Sequence, residues 1–524
     1  MPEQRTSPPD NALTLGKGIF ASRLLGFVRD AAIAALLGGG WTADALLLAF
    51  RLPNLARALL TEGAFAYCLV PAYREIREQD AGRAWVFIRS ISIVLVCLFG
   101  VLAATGALFS EGFARIVAPG FAAMPEVLGM ASGFLRLCLL SLPLAAGAAA
   151  GAAALMAEGE FRPPAYGAAL SNALVIASAG AALVLFGAGD GRAPYALCVG
   201  AIAGSAAQWL CQLPPLGRLG FSPRGPVSLG DPLLRRSLGT LPGSLFGAGG
   251  HQANILLATF LASFMAEGSI SSLYFAERLI GFPVGLIGAS IGLASLSELS
   301  LLTASARNRR PDDAGDRDTF RASLNKSLRL TLFFALPAAV GTACLARPLT
   351  ALVFGHGEFG AAALLRTSDA LVAYAAGLPA LAVARPLLAG LGALGDSRSS
   401  MRAAFASLAA TFGFGAVALA GDAPWGLALA VSLAAWTGAL RLLRALAGHG
   451  VSPLPSRSWV LKNLAACAVM LACILPATAL FSSVSGKAAI VIPGVLIYFA
   501  AALCLRMDEA GFALQRLRSF LGQA

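Results

Sequence analysis

The first 65 residues place ionisable side chains inside stretches that are otherwise apolar enough for a membrane. An ionised group at the centre of a bilayer costs about 2.5–3.5 kcal/mol or more, so it normally faces a bundle interior or a water-filled cavity. Arginine stays charged when it is buried, and its planar fork matches phosphate oxygens. The arginines therefore indicate an interior site for an anionic group. The ionisable residues of this region include Arg23, Arg29, Asp30, Asp44, Arg51, Arg57 and Glu62.

Spacing distributes the first of these charges over two sides of one predicted helix. Arg23 and Asp30 are seven residues apart, which is about two helical turns, so they lie on one face with Gly26 between them. Arg29 projects from a different side of the same helix. The pattern predicts a polar stripe in which Asp30 and Gly26 have gating or structural roles.

The next apolar stretch repeats this spacing. Asp44 and Arg51 are again seven residues apart, and Pro53 lies just beyond Arg51. Proline removes a backbone donor from a helix interior and bends the helix, so Pro53 is predicted to bend a helix that lines a pathway. Arg57 lies beyond that bend, and Glu62 follows it. Asp44, Pro53 and Glu62 are assigned gating or structural roles.

Two later spans add Arg278, which follows Glu277, and Arg385. The excess of arginines over carboxylates suits a pyrophosphate-bearing lipid better than a cationic drug. The alternative for each arginine is a place at a span end, where it snorkels to lipid headgroups or pairs with a carboxylate. The predicted headgroup-binding residues are Arg23, Arg29, Arg51, Arg57, Arg278 and Arg385, and the predicted gating or structural residues are Asp30, Asp44, Glu62, Pro53, Glu277 and Gly26.

Composition identifies the environment of these residues. Of 524 residues, 57% are hydrophobic and 13% are charged, and the mean hydropathy is +0.75, values outside the range of soluble globular proteins. The apolar runs are continuous, unlike the alternating strands of a membrane barrel. Because a span needs about 20 residues, we expect about 14 membrane-spanning helices. They cover 14–38, 43–72, 84–108, 127–157, 165–186, 192–213, 236–264, 270–302, 323–344, 364–394, 399–420, 425–447, 458–482 and 487–507.

A weak internal repeat groups the spans into two lobes of six. AFRLPN (Ala49–Asn54) is similar to AERLIG (Ala276–Gly281), and GEFRPP (Gly159–Pro164) is similar to GDSRSS (Gly395–Ser400), in the same order. The last two spans lie outside the repeat. The predicted organisation is a polar tail at 1–13, an N-lobe at 14–213, a cytoplasmic linker at 214–235, a C-lobe at 236–447, two further spans at 458–507 and a cytoplasmic tail at 508–524.

The basic residues follow membrane topology. The net charge is +12, and Lys and Arg cluster in alternate connections between spans. Since cytoplasmic loops carry an excess of these residues, both termini are predicted to be cytoplasmic, and no nucleic-acid partner is expected. The nine cysteines have no CxxC pairing and the three histidines no ligand spacing, so neither a metal nor a cofactor is predicted.

Several motifs together resemble one known family. The chain is similar in these motifs to the MurJ (MviN) family of lipid II flippases, members of the multidrug/oligosaccharidyl-lipid/polysaccharide exporter superfamily. The match is specific because the pieces occur in the family's order along almost the whole chain. The motifs are SRLLGFVRD (Ser22–Asp30), TADALLLAFRLPNLARALLTEGAF (Thr42–Phe65), EFRPPAYGAALSN (Glu160–Asn172), LYFAERL (Leu273–Leu279), FGHGEF (Phe354–Phe359) and LGALGDSRS (Leu391–Ser399).

The resemblance implies two six-helix lobes in a V around a central cationic cavity, with the last two helices forming a groove for a long lipid tail. It implies that lipid II, undecaprenyl-pyrophosphate carrying a disaccharide-pentapeptide, moves by alternating access from the inner to the outer leaflet of the bacterial cytoplasmic membrane. In the family, the arginines that match Arg23, Arg29, Arg57 and Arg278 line the cavity. Asp44 matches an aspartate near the outer gate.

The energy source of transport and the partners of the protein are the remaining expectations. Membrane potential or an ion gradient is expected to drive the cycle, and the expected partners are lipid II, membrane lipids and cell-wall synthesis proteins. Ala258 stands where some family members have an aspartate linked to cation binding, which speaks against sodium coupling.

Other functions stay open. Within transport, the alternatives are a flippase for another undecaprenyl-linked oligosaccharide and a multidrug exporter. A lipid-linked glycosyltransferase or pyrophosphatase would need a positioned nucleophile, acid/base pair or metal carboxylates as well, and the connections contain no such cluster. A scaffold for cell-wall enzymes would not need the cavity arginines.

Overall fold

All regular structure in the described part of the chain is helical. The computed structural model describes residues 8–61, 64–307, 314–481 and 483–521. Glu62, one of the predicted gating residues, lies outside these ranges. By their contacts the residues form two compact units, Met1–Ser271 with His356–Gly360, and Ser272–Gly355 with Ala361–Ala524.

In its described residues, the first unit contains eleven α-helices and the start of a twelfth. Within it, α8 packs against α1 and α9, and α7 packs against α4 and α9. The helices are α1 (Pro8–Leu37), α2 (Trp41–Thr61), α3 (Ala64–Gln79), α4 (Ala81–Leu108), α5 (Ser110–Val117), a 3₁₀ helix (Pro119–Ala123), α6 (Pro125–Cys138), α7 (Ser141–Ala157), α8 (Arg162–Phe186), α9 (Ala193–Leu210), α10 (Leu213–Arg218) and α11 (Pro232–Ala262).

The second unit continues α12 and contains the remaining helices. Within it, α18 packs against α15, α16 and α17, while α19 packs against α13 and α21. The helices are α12 (Ser269–Arg307), α13 (Ala314–Cys344), α14 (Ala346–Phe354), α15 (Ala361–Ala375), α16 (Leu378–Ala393), α17 (Ser397–Leu419), α18 (Pro424–Gly448), α19 (Arg457–Leu480), α20 (Val484–Ala489), α21 (Val491–Cys504) and α22 (Asp508–Leu521).

Side chains at the helix starts explain several of these bounds. The Asp80 carboxylate accepts backbone hydrogen bonds at the start of α4, and Asp231 does the same for α11. Such caps satisfy N–H groups that have no partner inside the helix. Asp396 caps α17 and also pairs with His449, with 2.9 Å between Oδ2 and Nε2. The hydrogen bond from His449, with a smaller contribution from Ser399, lowers the pKa of the Asp396 carboxyl.

Small residues let the helices approach closely. A Cβ atom added at Gly147 on α7 would lie 2.5 Å from the Trp209 ring, and one at Gly204 on α9 would lie 2.8 Å from the Ser171 carbonyl oxygen. Neither position has room for a side chain. This close packing is typical of membrane helices, whose association relies on van der Waals contact and interhelical hydrogen bonds.

Helix length and hydropathy agree with a polytopic membrane protein. Within the described residues, ten helices are long and apolar enough to cross a membrane, and the pair α15 and α16, bent by 44°, is an eleventh candidate. The other three predicted spans, 14–38, 43–72 and 236–264, coincide with α1, with α2 and α3, and with α11. The expected number of about 14 spans is consistent with this set.

The two compact units meet in sequence at Ser271 and Ser272, whereas the sequence repeat placed the lobe boundary within 214–235. The two compact units are defined by contacts within the folded chain, whereas the two lobes are defined by sequence similarity. The predicted lobes at 14–213 and 236–447 therefore stay predictions. The predicted tail at 508–524 contains α22.

Candidate functional site

A buried ion pair is the centre of the polar site in the first unit. Arg29 and Asp30 on α1 are 7% and 1% exposed. Arg29 donates from Nε and Nη2 to Asp30 Oδ1 over 2.9 and 2.7 Å. It also donates from Nη1 to Asn172 Oδ1 on α8 over 3.0 Å. The carboxylate and the amide therefore fix the guanidinium from two helices.

Asn172 connects this pair to the backbone. Its Nδ2 donates to the Ser22 carbonyl over 3.0 Å, so one amide holds both α1 and the Arg29 side chain. Gly26 lies opposite, where an added Cβ would be 3.7 Å from Asn172 Nδ2, an ordinary contact distance. The small residue at 26 thus leaves the amide room to bridge the two helices.

A polar cleft adjoins this network. It is lined by Arg29 and Asn172 together with residues of α2, α6, α7, α8 and α9. On α2, Arg57 Nη2 donates to Asn54 Oδ1 over 2.9 Å. Pro53 lies within α2 and also lines the cleft. The cleft volume is about 40 Å³, far below the roughly 300–1,000 Å³ of ordinary ligand pockets.

The cleft lining is basic and hydroxyl-rich. Arg29 and Arg57 are its charged members among the described residues, and they are accompanied by asparagine and serine side chains. Guanidinium, amide and hydroxyl donors are the groups that bind phosphate and sugar oxygens. The remaining polar lining residues are Asn54, Ser141, Ser171 and Ser205.

Asp44 has a different environment. Its carboxylate is 1% exposed and accepts from the backbone N–H of Gly268 over 2.8 Å and of Ser271 over 2.7 Å. These groups belong to the start of α12, so Asp44 caps that helix. In return, Glu267 Oε1 accepts from the Trp41 N–H at the start of α2 over 3.0 Å. The two helix starts cap each other.

The other predicted residues of the first unit lie elsewhere. Arg23 on α1 is exposed, and Arg51 on α2 is buried at 9% exposure. Neither lines the cleft described above. The structure therefore brings Arg29 and Arg57 together with Asp30 and Pro53 nearby, while Arg23 and Arg51 lie outside this group.

The remaining predicted residues belong to the second unit. Arg278 on α12 is half-buried, and its guanidinium carbon lies 4.8 Å from the centre of the Tyr274 ring. Its Nη2 also donates to the Tyr274 hydroxyl over 3.0 Å. Glu277 is half-buried beside it, and Arg385 on α16 is exposed. The tyrosine orients Arg278 by a cation–π contact and a hydrogen bond.

Four residues that the sequence did not single out take part in these arrangements, namely Asn54, Asn172, Glu267 and Tyr274. Tyr274 precedes Arg278 by four residues on one helix, a spacing that brings side chains together. Asn172 ends the EFRPPAYGAALSN motif. Glu267 carried no such signal because its partner lies 226 positions away.

Comparison with known proteins places the chain in a family. A family model described as lipid II flippase MurJ matches residues 33–500. The chain belongs to the MurJ family. A probable lipid II flippase MurJ from Haemophilus influenzae is 32% identical over 455 residues, 84% of this chain and 86% of that protein. The lipid II flippase MurJ of Burkholderia cenocepacia is 30% identical over 86% of this chain and 85% of its own length.

Solved structures agree on the fold of this MurJ family member. A lipid II flippase MurJ in an inward closed conformation has a TM-score of 0.80 and 23% identity, covering 95% of this chain and 99% of that one. An inward-facing MATE family transporter of the MOP superfamily has a TM-score of 0.63 and 15% identity, covering 82% and 95%. The predicted all-helical membrane fold and the predicted family are confirmed.

Proposed function

We propose that the protein is a lipid II flippase, a transporter that moves undecaprenyl-pyrophosphate-linked peptidoglycan precursor from the inner to the outer leaflet of the cytoplasmic membrane. The observation that carries the proposal is membership of the MurJ family over residues 33–500. The basic cleft that contains Arg29 and Arg57 supports it, because a pyrophosphate needs cationic donors when it leaves water.

The proposed roles of the arginines follow from their surroundings. Arg29 is pre-oriented by Asp30 and Asn172, and Arg57 by Asn54. Both present guanidinium donors to a pyrophosphate or its sugar. A cleft of about 40 Å³ has no room for such a headgroup. Binding therefore requires the cleft to widen, as alternating access demands.

The other predicted arginines keep their proposed role in headgroup binding. Arg278, held by Tyr274, is proposed to bind the headgroup at another stage of the cycle, and so are Arg23, Arg51 and Arg385. Asp44 is proposed as a gating residue because it fixes the start of α12 to α2. Glu62, Pro53, Glu277 and Gly26 keep their proposed gating or structural roles.

The energetic and cellular parts of the proposal rest on general physics and topology. Moving one charge across the membrane is worth about 2.3 kcal/mol per 100 mV, so membrane potential is the proposed driving force, and an ion gradient is the alternative. Both termini are proposed to be cytoplasmic because basic residues cluster in alternate connections. Cell-wall synthesis proteins are proposed partners, and the cycle is proposed to need no cofactor or metal.

The test uses cells depleted of their own lipid II flippase and supplied with this protein. The readout is the amount of lipid II cleaved by a headgroup-cleaving enzyme added outside. Arg57→Ala should reduce the cleavage rate about 10–100-fold, because a hydrogen bond to a charged group is worth about 1.5–3 kcal/mol. Arg398→Ala, which changes an exposed arginine at the start of α17, is the matched control. Full activity of Arg57→Ala at equal expression would contradict the proposed cleft.

The alternative is transport of another undecaprenyl-linked oligosaccharide or of drugs. Structural similarity to a MATE transporter, with a TM-score of 0.63 and 15% identity, shows a shared fold and gives no preference between the substrates. Drug efflux measured in the same cells separates the two. Efflux that depends on Arg57 without any lipid II cleavage would favour the exporter.

A further inference from the structure

A second polar groove lies in the second unit, between the first turns of α13 and the start of α22. Its volume is about 750 Å³, which falls within the roughly 300–1,000 Å³ of ligand pockets. Charged residues from both helices line it, including Asp318, Arg321 and Lys326 from α13. None of them belongs to the transport site proposed above.

One set of charges in the groove holds the two helices together. Arg329 Nε lies 2.6 Å from Glu509 Oε1, and Arg329 Nη2 lies 3.1 Å from Asp508 Oδ2. Glu509 Oε2 also accepts from Trp459 Nε1 over 3.0 Å. These groups bind one another and form one wall of the groove. The other charged residues therefore determine which ligand the groove binds.

Three charges remain available to a ligand. The Lys326 ammonium lies 5.9 Å from the centre of the Phe512 ring. Arg321 uses Nε to bind the Ser452 carbonyl oxygen over 3.1 Å, which leaves its two terminal nitrogens to other acceptors. Asp318 is exposed and lines the same groove. The groove thus offers two cations, one carboxylate and an aromatic ring.

The depth of the groove indicates the nature of its ligand. The candidate span Asp318–Cys344 has 27 residues, but about 20 residues suffice for the hydrocarbon core at a rise of about 1.5 Å each. Because charged groups are costly in hydrocarbon, the charged first turns of this span are expected at the level of the lipid headgroups, where a lysine stem reaches the polar layer. Phe512 is 41% exposed beside it and offers an apolar surface.

We propose that this groove binds the headgroup of a glycerophospholipid with a primary amine. Lys326 and Arg321 bind the phosphate, Asp318 binds the ammonium group, and the first part of an acyl chain lies against Phe512. The charged lining residues of the groove are three cations, Arg321, Lys326 and Arg329, and three carboxylates, Asp318, Asp508 and Glu509. Their charges sum to zero, which suits a zwitterionic headgroup better than an acidic one. The charge pattern therefore favours an ethanolamine headgroup.

The experiment measures which lipids stay bound to the purified full chain in native mass spectrometry. The protein is incubated with equal amounts of phosphatidylethanolamine, phosphatidylcholine and phosphatidylglycerol. We expect retention of the ethanolamine lipid to exceed that of the other two about tenfold. Lys326→Ala with Arg321→Ala should reduce the retention of the ethanolamine lipid at least tenfold, and Asp318→Asn should remove its advantage over phosphatidylcholine.

Two further variants make the result specific. Lys326→Arg with Arg321→Lys preserves both charges and should keep the parent's lipid retention, which separates loss of phosphate binding from misfolding. Arg402→Ala removes an exposed arginine on α17 and should change nothing. Equal retention of all three lipids by the parent, or the same lipid profile in the parent and the groove variants, would overturn the proposal. So would preferential retention of phosphatidylglycerol, which would indicate an acidic-lipid site.

Discussion

The buried pair of Arg29 and Asp30 gives a prediction whose magnitude follows from the structure. Asp30→Ala removes the oxygen that accepts two guanidinium hydrogen bonds of 2.7 and 2.9 Å. Removing one partner of a buried ion pair costs about 3–5 kcal/mol. Because Arg29 keeps its hydrogen bond to Asn172, we expect the lower end, about 3 kcal/mol.

A double-mutant cycle separates stability from transport. Arg29→Ala with Asp30→Ala removes both charges, so its cost should be smaller than the sum of the two single costs by about 2 kcal/mol, as for other residues in direct contact. Transport should not recover in the double variant, because Arg29 is proposed to bind the headgroup. Asp30→Asn, which keeps an oxygen of similar shape, should be destabilised less than Asp30→Ala.

The assay is thermal unfolding of each purified variant in one detergent, combined with lipid II accessibility in cells. Unfolding entropies of about 2.1 cal/mol/K per residue make 1 kcal/mol equivalent to about 1 °C for a chain of this size, so Asp30→Ala should unfold about 3 °C below the parent. Strictly additive single and double variants would refute the coupling. Normal transport by the double variant would refute the role of Arg29 in headgroup binding.

Three other predictions concern caps and packing. Asp44→Ala should speed hydrogen exchange at the start of α12 about 10–100-fold, because two charge-assisted hydrogen bonds are lost, whereas Glu267→Gln should have a smaller effect at the start of α2; equal exchange in Asp44→Ala and the parent would contradict the cap. Gly26→Ala should leave thermal stability within about 0.5 kcal/mol of the parent while Gly26→Leu lowers it, since an added Cβ already lies in van der Waals contact with the Asn172 amide; equal stability of the two would contradict this packing. The lowered pKa of Asp396 beside His449 means that its stabilising effect is present above about pH 4 and is lost as the pH falls further. Asp396→Asn should therefore unfold below the parent at pH 7, and this difference should shrink in acid, whereas a pH-independent difference would exclude the carboxylate charge as its cause.

Hydropathy predicted the long apolar helices, because membrane helices satisfy their own backbone and need only length and apolar composition. It did not predict helices outside the apolar runs, such as α5, α14 and α22. The predicted span 84–108 corresponds to α4 at Ala81–Leu108. The bend between α15 and α16 was not predicted within the single span 364–394. It falls at the break between Ala375 and Leu378, which contains Gly377 and has no hydropathy signal of its own.

Side-chain partners were harder to predict than helices. Arg29 was expected on a different side of α1 from Asp30, since adjacent residues diverge around a helix. The long arginine side chain nevertheless reaches the carboxylate of the adjacent residue and donates to it. The gating role of Asp44 stays a prediction. Its hydrogen-bond partner, the Gly268 N–H, was not predicted, because it lies 224 positions along the chain. A single sequence contains no signal for such a pairing, and only the folded chain reveals it.

The most direct test of the proposed function is lipid II translocation by the purified protein in vesicles, with no other cellular component present. Lipid II is incorporated in both leaflets, and an impermeant headgroup-cleaving enzyme is added outside. We expect cleavage beyond the share of the outer leaflet with the parent protein, and, with Arg57→Ala, cleavage beyond that share that is about 10–100-fold slower. Cleavage that stays at the outer-leaflet share with the correctly folded parent, even under an imposed membrane potential or ion gradient, would contradict the proposed function.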